Sequence, residues 1–471
     1  MAHDGDGPQF TSNPFEGPEK LLEVWFAPPA AYLPDAATGK YGLRKVKREI
    51  WEEMLGIVEC KVLSVVEGKE IDAYLLRWVS NRRVLVDRVP DATPSESSLF
   101  VSAHRLILKT CGTTLNLLGL PRILEIAKTH ASLPSVHRCF YSRKSFMFPE
   151  RQQGPHREWK DEVGFLNGIF KNGSAYTIGK VNGDHWLLYL TSAGVGNGEE
   201  SIPESPVAPL TVPPKNGVVG CSIDDQRNPE AEPEEAQVQD YTIEILMSRL
   251  SSEARAPFIS KISLDSECNS QTCSNEGRAL SSAIGISDLF PPHLTTLDAY
   301  SFTPCGYSSN ALIKWGDATK DEGFAYGTKQ GGHKGGEGYY SIHVTPEEGW
   351  SYASFECNVP LRTQPSCRSE DIPDLETLIR RIVKIFQPER LTLTLFISSE
   401  RNSNAEDEET SIEAAHRVFN MALTGPQLSS AKPPPESDPV AETGPEGYKR
   451  TDKINYEFSG YDLAFASFEL C

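Results

Sequence analysis

Short runs rich in β-branched and aromatic residues recur along almost the whole chain, and they narrow the possible folds more than any other feature. The segments "KLLEVWF", "CKVLSVV", "RLILKT", "AYTIGKV", "HWLLYL", "YTIEILM", "YYSIHVT", "YASFECN", "LTLTLFI" and "YDLAFASF" all read as strands. Leu99–Val101 adds a further strand-like piece. Helical spacing is rarer. Arg44–Val58 shows it, and within Pro373–Phe386 the residues Leu375, Leu378, Ile379, Ile382, Val383 and Phe386 form one apolar stripe, with Pro373 suited to the first turn. Many strands with intermittent helices predict an α+β fold built on largely antiparallel sheets. No internal repeat is evident.

Three stretches interrupt this pattern. Residues 196–239 are acidic and rich in Pro and Gly, with too little apolar surface to order themselves, and they are expected to be a disordered insert. Residues 399–446 read the same way, with one short helix expected around Ile412–Met421. Residues 316–338 form a Gly-rich loop, whose "GGHKGG" lacks the spacing of a phosphate-binding loop.

Lys and Arg number 46 against 65 Asp and Glu, a net charge of −19, which disfavours nucleic acid or an anionic membrane as partner. Residues 196–240 carry ten acids against two bases and residues 401–447 nine against three, so most of the excess is local. No run of about 18 apolar residues offers a membrane span. The start, "MAHDGDGPQF", is too polar for a secretory signal. The ten cysteines include no Cys-x-x-Cys and one close pair, Cys268 and Cys273. Reduced thiols in the cytosol are the expectation.

Polar residues stand where ordinary strands do not need them. "FEGPEKLLEVWF" places Phe15, Glu16, Glu19 and Glu23 before or inside a strand, and "FTPCGYSSN" places Phe302, Cys305, Ser308 and Asn310 together. "YYSIHVTPE" and "SYASFECN" contribute His343, Glu347 and Glu356. Each also fits a plainer role: a solvated strand acid, a hydrogen-bonded core histidine, a tight turn. In "PSESSLFVSAHRLILKTCGTTL", likewise, Cys111 alone reads equally as a small buried hydrophobe.

Taken together and in order, "FEGPEKLLEVWF", "SESSLFVS…ILKTCGTTL", "CFYSRKSFMFP", "TIEILMS", "CGYS" and "IHVTPEEGWSYASFE" closely resemble the eukaryotic S-adenosylmethionine decarboxylase proenzymes, from about residue 13 to the C-terminus. The resemblance implies a single catalytic domain over 13–471, folded as a four-layer α/β/β/α sandwich of two antiparallel sheets flanked by helices. It also implies self-cleavage between Glu96 and Ser97 into a 1–96 β chain and a 97–471 α chain. Ser97 would become a pyruvoyl group, the Schiff-base-forming cofactor of decarboxylation, with no metal involved. Ser308 would assist the acyl shift and His343 would be the processing base. Cys111 would be the proton donor in turnover, with Glu16 and, more weakly, Glu19 near it. Phe15 and Phe302 would sandwich the adenine of S-adenosylmethionine, and Glu347 would take the ribose hydroxyls. Glu23, Asp240, Thr242, Glu244 and Glu356 would hold putrescine, an activator in the animal and fungal branch. This chain keeps Leu21, Phe140 and Asp240, so stimulation by the diamine is expected. The product would be the aminopropyl donor for spermidine and spermine, and the processed protomers would pair as a homodimer.

One departure stands beside the scissile bond. "DAYLL" and "SESS" are separated by the 18 residues Arg77–Pro94, an insertion that reads either as a surface loop or, the preferred reading, as unspliced intron sequence. Because the acyl shift depends on alignment at one peptide bond, an insertion here also admits a catalytically inactive regulatory paralogue. A hydrolase built on Cys111 or Ser308 with His343 would explain neither the Glu-Ser site nor the acids.

Overall fold

Alternating apolar residues build two sheets of eight strands each. The structure is a computed structural model that describes residues 15–27, 33, 40–79, 96–183, 185–192, 240–260, 270–316, 336–365, 372–399, 409–424, 447–458 and 460–471. The 196–239 insert and most of the 77–94, 316–338 and 399–446 stretches lie outside the described residues.

The first sheet contains β1 (Lys20–Trp25), β2 (Cys60–Glu67), β3 (Ile71–Trp78), β4 (Glu96–Ser102), β5 (Arg105–Thr110), β6 (Arg138–Lys144), β7 (Gly173–Gly179) and β8 (His185–Thr191). Its order is β2-β3-β4-β5-β1-β6-β8-β7. The second contains β9 (Tyr241–Leu250), β10 (Thr295–Ser301), β11 (Tyr307–Trp315), β12 (Gly336–Thr345), β13 (Tyr352–Cys357), β14 (Pro388–Ser398), β15 (Tyr448–Phe458) and β16 (Tyr461–Leu470). Its order, β10-β11-β12-β13-β9-β14-β16-β15, is the first sheet's order shifted by eight. The two halves therefore repeat one topology that the sequence conceals. Strand order depends on which faces are apolar and where connections fall, not on residue identity.

Helices α1 (Arg48–Ile57), α2 (Leu120–His130) and α3 (Trp159–Ile169) belong to the first half. Trp51, Met54, Ile123, Ile126 and Leu166 from them pack on Leu22, Val24, Leu99, Val101 and Leu108 of the first sheet. In the second half, α4 (Ser252–Arg255) and α5 (Ser270–Ile284) precede β10, while α6 (Leu375–Phe386) and α7 (Ser411–Thr424) flank β14. Leu378, Ile382, Val418 and Phe419 pack on Ile243, Ile245, Leu393 and Ala464. Between the sheets lie Trp25, Phe140, Leu246, Tyr461 and Phe465 in one cluster and Leu21, Phe100, Ile107, Leu312 and Tyr339 in another. The layers are thus helix, sheet, sheet, helix, as expected.

Three details differ from the sequence reading. Helix α6 starts two residues later than a first-turn Pro373 requires: Leu375 is its first residue and Asp374 the N-cap, its carboxylate accepting the Thr377 N–H at 2.8 Å. The short helix expected around Ile412–Met421, inside the acidic 399–446 stretch, is present but longer: residues 411–424 form it and bury Ile412, Ala415, Val418, Phe419, Ala422 and Leu423. Cys273 is disulfide-bonded, against the expectation of reduced thiols throughout, whereas Cys60, Cys111, Cys139, Cys305, Cys357 and Cys471 form no disulfide.

Candidate active site

Strand alternation decides what each polar residue faces. On β4, Ser97 shares its side with Leu99 and Val101, which pack on the helices, while Ser98 shares its side with Phe100 between the sheets. Glu96 and Ser97 are successive residues of β4, paired with Arg77 and Leu76 of β3, so the start of the 77–94 insertion extends that hairpin. Ser97 is fully buried, and its hydroxyl meets the Cys60 thiol. Burial pushes that thiol up to about 12, with the hydrogen bond to Ser97 opposing.

It is Ser98 that meets the opposite sheet. Its Oγ donates to Asn310 Oδ1 at 2.7 Å and lies 2.9 Å from His343 Nε2. The other ring nitrogen of His343, Nδ1, is hydrogen-bonded to the Glu19 carboxylate. This arrangement fixes the imidazole between an acid on the first sheet and a hydroxyl beside the Glu96–Ser97 bond. Ser308 is the cross-strand neighbour of His343, and its fully buried Oγ has no partner among the described residues. Burial alone would raise the Glu19 carboxyl, but Lys109 and His343 together hold it below its ordinary value.

Lys109 carries this chain into the acid cluster. Its Nζ lies 3.5 Å from Glu19 Oε2 and 3.0 Å from Glu356 Oε2, and Glu356 also accepts the Tyr339 hydroxyl. Burial would lower the Lys109 ammonium, yet Glu19, Glu356 and Glu244 hold it above its usual range. Arg105 reaches Glu23 at 3.4 Å and Asp240 at 3.2 Å, and the Tyr461 hydroxyl donates to Asp240 at 3.1 Å. Burial pushes Glu23 up to about 7 despite Arg105, and Glu244 up to about 8 despite Lys109. The cluster therefore holds less positive charge than its carboxyls can balance. A small cavity lined by Glu19, Lys109, Glu244, Lys144 and Tyr352 lies alongside. Thr242 sits opposite Phe396 on β14.

Cys111 follows β5 directly, at a turn where Gly112 has a positive φ of 62°. The Gly112 N–H donates to the Glu16 carbonyl at 3.1 Å, which brings the Glu16 backbone to the residue after Cys111. The Glu16 carboxylate accepts the N–H groups of Met147 and Phe148 at 2.7 and 2.8 Å; burial still raises it above its ordinary value. Glu347 accepts the Phe15 N–H, and burial raises its carboxyl also. Phe302, only 2% exposed, packs with Tyr300, Leu75 and Cys273. The structure thus joins Phe15 to Glu347 and shows no contact between Phe15 and Phe302.

Sequence reasoning gave no role to Ser98, Asn310, Arg105 or Lys20. Strand parity could have exposed Ser98, since it alternates with Phe100. Among the described residues no group of three or more His, Cys, Asp or Glu is placed to hold a metal ion, and no helix is long and apolar enough to cross a membrane.

Comparison with known proteins shows the family. The family model for adenosylmethionine decarboxylase matches residues 12–469. The S-adenosylmethionine decarboxylase proenzyme of Xenopus laevis is 31% identical over 454 residues, covering 96% of this chain and 95% of the relative. That of Saccharomyces cerevisiae is 30% identical over 414 residues, 84% and 85% of the two chains. A crystal structure of the Trypanosoma brucei AdoMetDC-delta26 monomer is similar at 18% identity and a TM-score of 0.43, covering 79% of this chain and 99% of that one. With a match over nearly its full length, the chain belongs to the adenosylmethionine decarboxylase family.

Proposed function

We propose that Glu96–Ser97 is the bond this decarboxylase cuts in itself, with His343 as the base and Cys111 as the proton donor of turnover. The observation that carries the reading is the hydrogen-bonded chain Glu19–His343–Ser98, which delivers an oriented imidazole to the strand that contains the bond. Ser97 Oγ reaches the Glu96 carbonyl carbon through a five-membered ring, so the attack needs only a side-chain rotation. Its facing the helix layer is no obstacle, since the partner its hydroxyl meets there is the Cys60 thiol, a weak one. In the acyl shift the C–O bond forms, the C–N bond breaks and the freed amine takes the proton. The unspent Ser308 hydroxyl is the donor available to the attacked carbonyl. His343 then removes the Ser97 α-proton, the ester C–O bond breaks, and Glu96 leaves as a carboxylate. Addition of water and loss of ammonia complete the new terminus.

The pyruvoyl carbonyl supplies the electron sink that a decarboxylation needs and that no side chain offers. Around it, the Gly112 turn holds Cys111 to return a proton to the former α-carbon. Glu347 would take the ribose hydroxyls of S-adenosylmethionine, and Phe15 and Phe302 its adenine. Phe302 is buried, so substrate entry requires it to move. Putrescine fits the remaining demand. Glu23, Asp240, Glu244 and Glu356 would hold a dication where Arg105 and Lys109 leave carboxyls unbalanced, and Thr242 lines the same strand. A homodimer of processed protomers rests on the resemblance, and a cytosolic setting on the polar start and the cysteine usage of the sequence.

A second reading, an inactive regulatory paralogue, is favoured by one feature: the 77–94 insertion adjoins the cleaved bond in the β3–β4 hairpin. Intact mass of freshly purified protein separates the two. Two chains meeting at Glu96/Ser97, the larger blocked to amine chemistry, establish the competent enzyme. A single uncut chain favours the paralogue, and deletion of residues 77–94 then shows whether cleavage returns.

A further inference from the structure

We propose that Lys20 is a positioning residue for Cys111: its ammonium fixes the Gly112 turn and stabilises the thiolate that remains once Cys111 has given up its proton. The inference rests on the assignment of Cys111 as proton donor. Lys20 is completely buried on the helix-facing side of β1, an expensive place for an ammonium unless it has a task. It belongs to a polar row across four strands, in which Ser97 pairs with Thr110, Thr110 with Lys20, and Lys20 with Arg143. Lys20 Nζ donates to the Gly112 carbonyl at 2.7 Å, one residue from the thiol. With the Gly112 N–H bound to the Glu16 carbonyl, both polar groups of that residue are clamped.

The charged groups that face Lys20 come from every neighbouring element. Glu16 precedes β1, Cys111 follows β5, Arg143 is on β6, and Glu162 is on α3. Glu162 is itself occupied by Arg143 at 2.8 Å, His156 at 2.7 Å and the Tyr141 hydroxyl at 2.5 Å. Burial holds His156 down to about 4, so it adds no cation near neutral pH. Burial likewise brings Lys20 down to about 8, with Glu162, Glu16 and Cys111 opposing. A charge that the thiolate stabilises must stabilise the thiolate in return.

The test is the rate of Cys111 alkylation by iodoacetamide against pH, read by peptide mass mapping of the full chain. Lys20→Met should move the Cys111 profile to higher pH and slow alkylation about tenfold near neutrality, the change expected for one unit in thiol pKa. Lys20→Arg keeps the charge beyond the range where lysine loses it, so its profile should rise more steeply above neutrality than the unmodified chain's. That arm carries the test if Lys20→Met does not fold. Profiles unchanged in a folded Lys20→Met chain, or identical for Lys20→Arg and the parent, overturn the proposal. A shifted profile with an unchanged rate of decarboxylation keeps the Lys20–Cys111 coupling and instead removes Cys111 as the proton donor.

Discussion

The two halves of the molecule share a strand order and differ in what their faces carry. The outer face of the second sheet is apolar where α6 and α7 cover it, with Ile243, Ile245, Leu393 and Ala464 beneath them. The outer face of the first sheet carries the buried row of Ser97, Thr110, Lys20 and Arg143. Between the sheets, the main polar contacts of the site join one half to the other. Glu19 binds His343, Lys109 binds Glu356, Ser98 binds Asn310, and Arg105 binds Asp240. Glu337 of β12 similarly accepts the N–H groups of Glu70 and Ile71 at 2.7 and 3.0 Å. On the proposed assignment the repeated scaffold is asymmetric: the first half holds the bond to be cut and the thiol, and the second half supplies the base. Neither half contains a complete site.

Exchanging the roles of two adjacent serines tests this division most severely. Ser97→Ala removes the attacking hydroxyl from the outer face, and the chain should remain a single piece by intact mass. Ser98→Ala removes only a hydrogen-bond partner of His343 and Asn310. Its cleavage should slow about tenfold, the effect of losing roughly one hydrogen bond, and still run to completion. Equal and complete failure of both variants would mean that Ser98 has a chemical role in cleavage.

Next in size is the cross-sheet cation. Lys109→Met leaves Glu19, Glu356 and Glu244 buried without their ammonium, and stability should fall by about 3–5 kcal/mol in urea unfolding. The exposed Arg249–Glu389 pair is the control, worth about 0–1 kcal/mol. A small loss at Lys109 would mean that the acids take up protons instead.

Much of the fold was legible because strands announce themselves as short runs rich in β-branched and aromatic residues, as in Tyr241–Leu250 and Tyr461–Leu470, and α6 by its single apolar stripe. The duplication was not, since topology leaves no residue pattern when the paired strands differ in composition. Helices α2 and α3 escaped notice because their buried faces are short, only Leu120, Ile123, Ile126 and Ala127 in α2. For the site, motif order picked out Glu16, Glu19, Cys111, Ser308 and His343. It could not reveal that Ser98 rather than Ser97 points at the imidazole, because that depends on the phase of one strand against another sheet. Lys20 stayed invisible for a related reason. In "EKLLEVW" it looks like a strand-edge lysine, and only the pairing with Thr110 and Arg143 shows that it is buried.

The acid cluster predicts a pH dependence specific to the seam between the halves. Glu23 and Glu244 have folded pKa values of about 7 and about 8, above their ordinary 4.5. Between roughly pH 4.5 and 8 the folded chain keeps protons that the unfolded chain has lost, so these groups make stability fall as pH rises and have no further effect above that window. Putrescine prefers the deprotonated carboxyls. Its stabilisation should therefore be larger at pH 8.5 than at pH 6, reaching about 2.7 kcal/mol at a hundredfold excess over Kd. Thermal unfolding with and without the diamine measures this, and Glu23→Gln with Glu244→Gln should flatten both trends. A diamine effect independent of pH would place its binding elsewhere.

The smallest effect belongs wholly to the second half and should leave the site untouched. Asp374 caps α6 by accepting the Thr377 N–H at 2.8 Å and its hydroxyl at 3.0 Å. Asp374→Ala should cost about 1 kcal/mol of stability, since one orphan donor of the first turn loses its acceptor. Helix α6 lies on the outer face, and the base and acids lie on the inner one. Cleavage rate at Glu96–Ser97 should consequently stay within twofold of the parent while the unfolding midpoint drops. A proportionate loss of cleavage would show that the outer helices set the register of β12 against β4, and that the second half contributes alignment as well as a base.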